Sequence, residues 1–181
     1  MGFTSKVSRS EFDNPDRMAP WLVNSLVEER ERLGRPMFFT KLSSGAARHP
    51  HGDAVPPDSP HHGKYSYHRW GINHVPSKAQ QTVIHDPTFF GLAVDMDLGA
   101  INFDEMMNLY LHFSQQALWR GVGLYPFWNN PGFHLDLGGR IHYWARDVDG
   151  TYLPLRGPNA WQNINRLRES VRRHRPQLLS S

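Results

Sequence analysis

The chain has 181 residues, 39% hydrophobic and 20% charged, enough for one domain with a substantial core and unlike a disordered composition. No apolar run approaches the ~18 residues of a membrane-spanning helix, and the absence of cysteine excludes disulfides, thiolate metal sites and cysteine nucleophiles. The pI is near 9.4 on a formal charge of only +3, and the excess is local. From Arg156 onward six arginines face one acid, Glu169, for a net +5, whereas the remainder holds 14 basic and 16 acidic residues, a net −2.

The chain opens Met1-Gly2-Phe3-Thr4-Ser5-Lys6 and turns acidic at Glu11 and Asp13, with no apolar stretch of a secretory signal. Residues 19–33 read as a helix, with Pro20 in the first turn, an apolar stripe of Leu22, Val23, Leu26 and Val27, and Gly34 at its end. A short strand is predicted over 36–42. Residues 43–65, rich in Gly, Pro, Ser and His, form a loop of a length that compact domains reserve for function or mobility. In Gly91-Leu92-Ala93-Val94-Asp95-Met96-Asp97-Leu98 the alternation of a strand puts Asp95 and Asp97 on the face opposite Val94 and Met96. Asn102 or Asp104 caps a helix running to Trp119. Strands follow at 122–125, 133–137, 141–146 and 151–155, the last two joined at Asp149-Gly150. Asn159 starts a final helix with Trp161, Ile164, Leu167 and Val171 on one side and arginines elsewhere. The outline is an α+β domain over 1–155, with a small, mostly antiparallel sheet flanked by helices, and a basic helical arm over 156–181.

Three stretches carry candidate chemistry: Ser66-Tyr67-His68-Arg69-Trp70-Gly71, Gly91-Leu92-Ala93-Val94-Asp95 and Gly132-Phe133-His134-Leu135-Asp136. Two imidazoles and a carboxylate can hold Zn²⁺ and leave a fourth position for water. His134 and Asp136, two apart on a strand, face the same way, so Asp136 serves either as a base or as the partner that orients the imidazole. With 11 histidines in the chain, spacing alone generates accidental combinations.

These stretches are similar to the zinc peptidases of the D-alanyl-D-alanine carboxypeptidase and murein endopeptidase family, with its hedgehog/DD-peptidase fold. The N-terminal part resembles the start of that domain in Ser10-Glu11-Phe12-Asp13, the helix 20–33, Phe39-Thr40, Ser44-Gly45 and Arg48. The more specific block is Gly121-Val122-Gly123-Leu124-Tyr125-Pro126, Phe133-His134-Leu135-Asp136 and Trp144, so that the resemblance spans roughly residues 8–146. It implies His68, Asp95 and His134 as zinc ligands. The family writes its first two ligands in one run, Ser-x-His-x-x-Gly-x-Ala-x-Asp; here an insertion of about 69–90 separates them. Two other assignments fit that interruption: His85, closer to Asp95, as first ligand, or His74 in place of the aspartate. No titratable residue stands just before His134, so Asp136 is the nearest candidate base, with His142 one hairpin away. Arg48 suits a substrate carboxylate or an oxyanion, or a structural ion pair. His61 and His62 read as solvated, and Asp97 as a strand-end turn contact.

The function implied is hydrolysis of peptide bonds in peptidoglycan stem peptides or cross-links. Lacking a secretory signal, such an enzyme is expected to act from a bacteriophage or gene-transfer particle, with the C-terminal arm as its contact to other virion proteins and no membrane partner. The interrupted ligand run admits an alternative, a catalytically degenerate protein serving as a structural or wall-binding component of a virion or tail. Nucleic-acid binding rests only on the C-terminal arginines, which no aromatic residue interleaves after Trp161, and is the weakest expectation.

Overall fold

The structure, a computed structural model, describes Thr4 and residues 6–12, 14–39, 66–70, 90–139 and 141–179. The whole of the predicted loop 43–65, and with it Arg48, His61 and His62, lies outside the described residues, as do His74 and His85. The class is α+β: one six-stranded sheet and three α-helices.

Helix α1 (Pro20–Leu33) begins with proline at its first position, where the missing N–H costs nothing. It ends at Gly34, whose φ of 62° is the left-handed conformation in which the Gly34 N–H reaches the Arg30 carbonyl. Strands β1 (Phe38–Phe39) and β2 (Ala93–Asp97) follow. Helix α2 (Phe103–Gln115) starts at a reciprocal cap: Asn102 Oδ1 accepts from the Glu105 N–H (2.8 Å) and Glu105 Oε2 from the Asn102 N–H (3.0 Å). It stops four residues short of the predicted end. The chain bends over 116–118 and buries Trp119, whose indole N–H donates to Glu29 of α1. Strands β3 (Gly121–Tyr125), β4 (Gly132–Asp136), β5 (His142–Arg146) and β6 (Tyr152–Pro154) complete the sheet, and α3 (Ala160–His174) closes the fold. The strand order is β1-β2-β4-β3-β5-β6, with every pair antiparallel except β3–β5.

The register fixes what each face carries. Val94, Met96, Phe133, Leu135, Val122, Leu124, Ala145 and Leu153 pair across the strands on one face, and all join the core with Leu22 and Leu26 of α1, Phe103, Met106 and Phe113 of α2, and Leu167 and Val171 of α3. Period-2 alternation therefore sends the intervening residues to the other face. There they form three cross-strand rows: Ala93, Asp136, Gly121 and His142; then Asp95, His134, Gly123, Trp144 and Pro154; then Asp97, Gly132 and Tyr125, with Arg146 and Tyr152 continuing the third. The helices cover the first face, and the polar residues of the second are gathered in its middle.

Helix α3 shares this core rather than projecting from it. Leu167 and Val171 are fully buried. Arg166 binds Asp147 and Asp149 of the β5–β6 turn at 2.8 and 3.2 Å, and Arg168 binds Asp104 of α2 at 2.8 Å. Two of the six arginines of the basic segment, Arg166 and Arg168, are thus matched to acids of the domain itself, although pairs with exposed partners contribute little stability individually. If burial of its apolar stripe holds α3 in place, Leu167→Ala should destabilise the protein by about 2–5 kcal/mol in urea denaturation. A loss below about 0.5 kcal/mol would mean that the helix is an independent arm.

Candidate metal centre

Asp95 and His134 are direct cross-strand partners in the central row of the polar face. His134 Nδ1 lies 2.8 Å from Asp95 Oδ1. His68 arrives from outside the sheet, on the segment 66–70, and places its Nε2 3.1 Å from His134 Nδ1 and 3.5 Å from Asp95 Oδ1. All three side chains are buried. Three donor atoms around one tetrahedral zinc, at bond lengths of about 2.0–2.1 Å, stand roughly 3.3 Å apart. The triangle of 3.1, 2.8 and 3.5 Å is close to one face of that tetrahedron. His68, Asp95 and His134 can therefore hold a metal ion with little movement.

Tyr67 fixes the segment that brings His68. Its carbonyl accepts from the Leu92 N–H at 2.7 Å, just before β2, and its hydroxyl accepts from the Gly139 N–H at 3.1 Å, just after β4. The Tyr67 ring lies where a side chain at position 138 would be, so Gly138 is required for that contact. Both anchors adjoin the strands that carry the other two candidate ligands, and His68 is registered against them from a segment outside those strands.

The second nitrogen of His134 is also engaged. Nε2–H donates to Asp136 Oδ2 at 3.1 Å, and Asp136 Oδ1 accepts from the Gly138 N–H at 2.8 Å. This fixes the imidazole with Nδ1 turned toward Asp95 and His68, the arrangement in which an outer carboxylate orients a metal-binding histidine. Of the two roles considered for Asp136, its position favours the orienting one, because both carboxylate oxygens are already bonded.

The two glycines of β3 make the arrangement possible. A Cβ on Gly121 would overlap the Asp136 carboxylate, and one on Gly123 would come within 2.6 Å of the Trp144 indole. Trp144 uses that space to lie over β3, its ring 5.1 Å from that of His134, and its Nε1–H donates to the Tyr125 hydroxyl at 3.1 Å. Tyr125 in turn stacks on Trp128 at 4.0 Å. The centre is thus walled by aromatic rings along β3 and β5.

The electrostatics follow from this packing. Burial would raise the Asp95 pKa, but the imidazoles of His68 and His134 outweigh it and hold the carboxyl well below its usual range. Burial would lower that of His134, yet hydrogen bonds to Asp136 and Asp95, reinforced by their charges, push it up to about 9. Burial, with Asp95 adding to it, also pushes the Tyr125 phenol well above its ordinary value, so it remains protonated.

The other candidate residues fall elsewhere. Asp97 Oδ1 accepts from the Gly99 N–H at 2.9 Å, the strand-end contact expected of it. His142 stacks on the Trp144 ring at 4.8 Å. The contributions of Tyr67 and Tyr125 were not expected from sequence; the signal for the glycines was present in the alternation Gly121-Val122-Gly123, which leaves one face of a strand without side chains. No protein-family model matches the chain, and searches of curated proteins and of solved structures find no match either.

His134→Ala should abolish stoichiometric zinc binding, and Asp136→Asn should weaken it by about 10–100-fold, as read by competition with a chromophoric chelator. Unchanged affinity in Asp136→Asn would remove its orienting role. The pH dependence has a defined sign. The raised His134 pKa stabilises the ion-free protein fully below the ordinary value of 6.5, and that stabilisation is lost as pH rises toward about 9. The lowered Asp95 pKa stabilises it above the ordinary value of 3.8 and is lost as pH falls. Ion-free protein should therefore have its highest Tm between these two values, and the rise in Tm on adding zinc should grow from pH 6.5 toward 9, because the ion displaces the proton on Nδ1. A zinc-induced shift independent of pH over that interval would contradict it.

Proposed function

We propose that the protein is a zinc-dependent peptidase that hydrolyses peptide bonds in peptidoglycan stem peptides or cross-links, built on a hedgehog/DD-peptidase-like fold. The observation that carries this reading is the buried triangle of His68 Nε2, Asp95 Oδ1 and His134 Nδ1, a donor set of two imidazoles and one carboxylate. That set suits zinc in preference to the all-oxygen shells of magnesium and calcium, and three protein ligands leave a position for substrate or water. Zinc bound there would polarise an amide carbonyl and lower the pKa of water to about 7.

The chain's own residues supply the rest. Asp136 keeps the His134 Nε2–H engaged so that Nδ1 remains directed at the ion. Tyr67 holds His68 against the two strands. Trp144 excludes water from the β3 side of the centre. The Tyr125 hydroxyl already accepts from Trp144 and stays protonated, so its own O–H is a donor for a substrate oxygen.

The test is incubation of zinc-loaded protein with purified cell-wall peptidoglycan, followed by mass spectrometry of the soluble fraction. Peptide fragments should be released, and release should fall at least about 100-fold in His134→Ala and in chelator-treated protein. Stoichiometric zinc with no release would instead assign the protein the structural or wall-binding role.

A further inference from the structure

Beside the metal centre, on the same face of the sheet, a cleft of about 280 Å³ is lined by Tyr125, Phe127, Trp128 and Arg146 together with the β5–β6 turn, Asp147 to Gly150. Tyr125 and Arg146 belong to the row adjacent to that of Asp95 and His134, two residues along the strands and so about 7 Å away. The charges in the cleft are not equivalent. Asp147 accepts from the Val148 N–H and from Arg166, and Asp149 from the Thr151 N–H and from Arg166, so all four carboxylate oxygens have donors. Arg146 has no carboxylate partner among the described residues; its guanidinium lies over the Tyr152 ring at 5.7 Å. A partly buried guanidinium with open donors, beside two acids whose oxygens are already taken by Arg166 and backbone N–H groups, is free to make paired hydrogen bonds to an external carboxylate.

We propose that this cleft is a substrate subsite in which Arg146 binds a carboxylate, with the stacked Tyr125 and Trp128 rings as its apolar wall. The inference rests on the peptidase reading for the identity of the ligand as a peptide. It adds a requirement to that reading: the substrate bears a carboxylate one short residue's length from the bond at the metal centre. Either the C-terminus of a peptide or an acidic side chain supplies such a group, and both make the same paired hydrogen bonds to a guanidinium.

The experiment is calorimetric binding of three probes, each in L and D forms: N-acetyl-trialanine, its C-terminal amide, and the amide with glutamate at the centre. Each is titrated into zinc-loaded and zinc-free protein. At least one carboxylate peptide should bind about tenfold or more tightly than the neutral amide, in zinc-free protein as well. Preference for the free acid identifies the chain terminus, and preference for the glutamyl amide identifies a side chain. Arg146→Gln should erase the preference while changing the affinity of the neutral amide less than about twofold and leaving zinc stoichiometry intact. Arg146→Lys, which keeps the charge and loses the fork, should retain part of it. Equal binding of acid and amide, binding of neither, or a preference that survives in Arg146→Gln would overturn the subsite. Failure of the peptidase reading has a separate signature, no wall fragments released, and leaves the carboxylate preference of zinc-free protein unaffected.

Discussion

His134 is buried with a carboxylate at each ring nitrogen, Asp95 at 2.8 Å on Nδ1 and Asp136 at 3.1 Å on Nε2, and much of the structure answers to that arrangement. Two acids and two imidazoles withdrawn from water carry a desolvation cost of several kcal/mol per charged group unless they satisfy one another. Each therefore has a defined partner: Asp95 is shared by both imidazoles, Asp136 is held by a backbone N–H, and His68 is tethered through Tyr67. A cluster of this kind leaves a central position that either a proton or a metal ion can fill. The ion is the better occupant where a third donor converges on the same point, as His68 does.

The sheet supplies the rigidity such a site requires. Strands β2 and β4 place Asp95 and His134 side by side by backbone register alone, so their separation is set by interstrand hydrogen bonds rather than by loop conformation. The opposite face of the same strands is locked by Val94, Met96, Phe133 and Leu135 against the helices. Neighbouring β3 contributes an absence: Gly121 and Gly123 leave room above the strand, which Asp136 and Trp144 occupy. Glycine normally weakens a strand interior; here it admits the orienting carboxylate and the aromatic wall.

Element positions were legible wherever local chemistry decides them. Proline and glycine bounded α1, an Asx cap started α2, and Asp149-Gly150 turned β5 into β6, with Gly150 at φ 86°. The end of α2 was not legible, because Trp119 leaves the helix to reach Glu29 from a distant part of the chain. Period-2 alternation paired His134 with Asp136 on one face, and family resemblance singled out His68 from among the histidines. Their convergence was beyond the sequence, since it depends on β2 lying next to β4 and on the Tyr67 anchors. Arg146 was invisible for a related reason: whether an arginine is free or paired depends on Arg166 taking both nearby aspartates, a contact 17 to 19 residues away.

The central claim is that one ion is held by His68, Asp95 and His134 together. Zinc-edge X-ray absorption on the purified, zinc-loaded protein addresses it directly, because imidazole rings give a distinct multiple-scattering signature. The account predicts first-shell nitrogen and oxygen scatterers at about 2.0–2.1 Å, two imidazoles per zinc in the wild type and one in His68→Ala. A spectrum with no imidazole, or with the same imidazole count after His68→Ala, would contradict it.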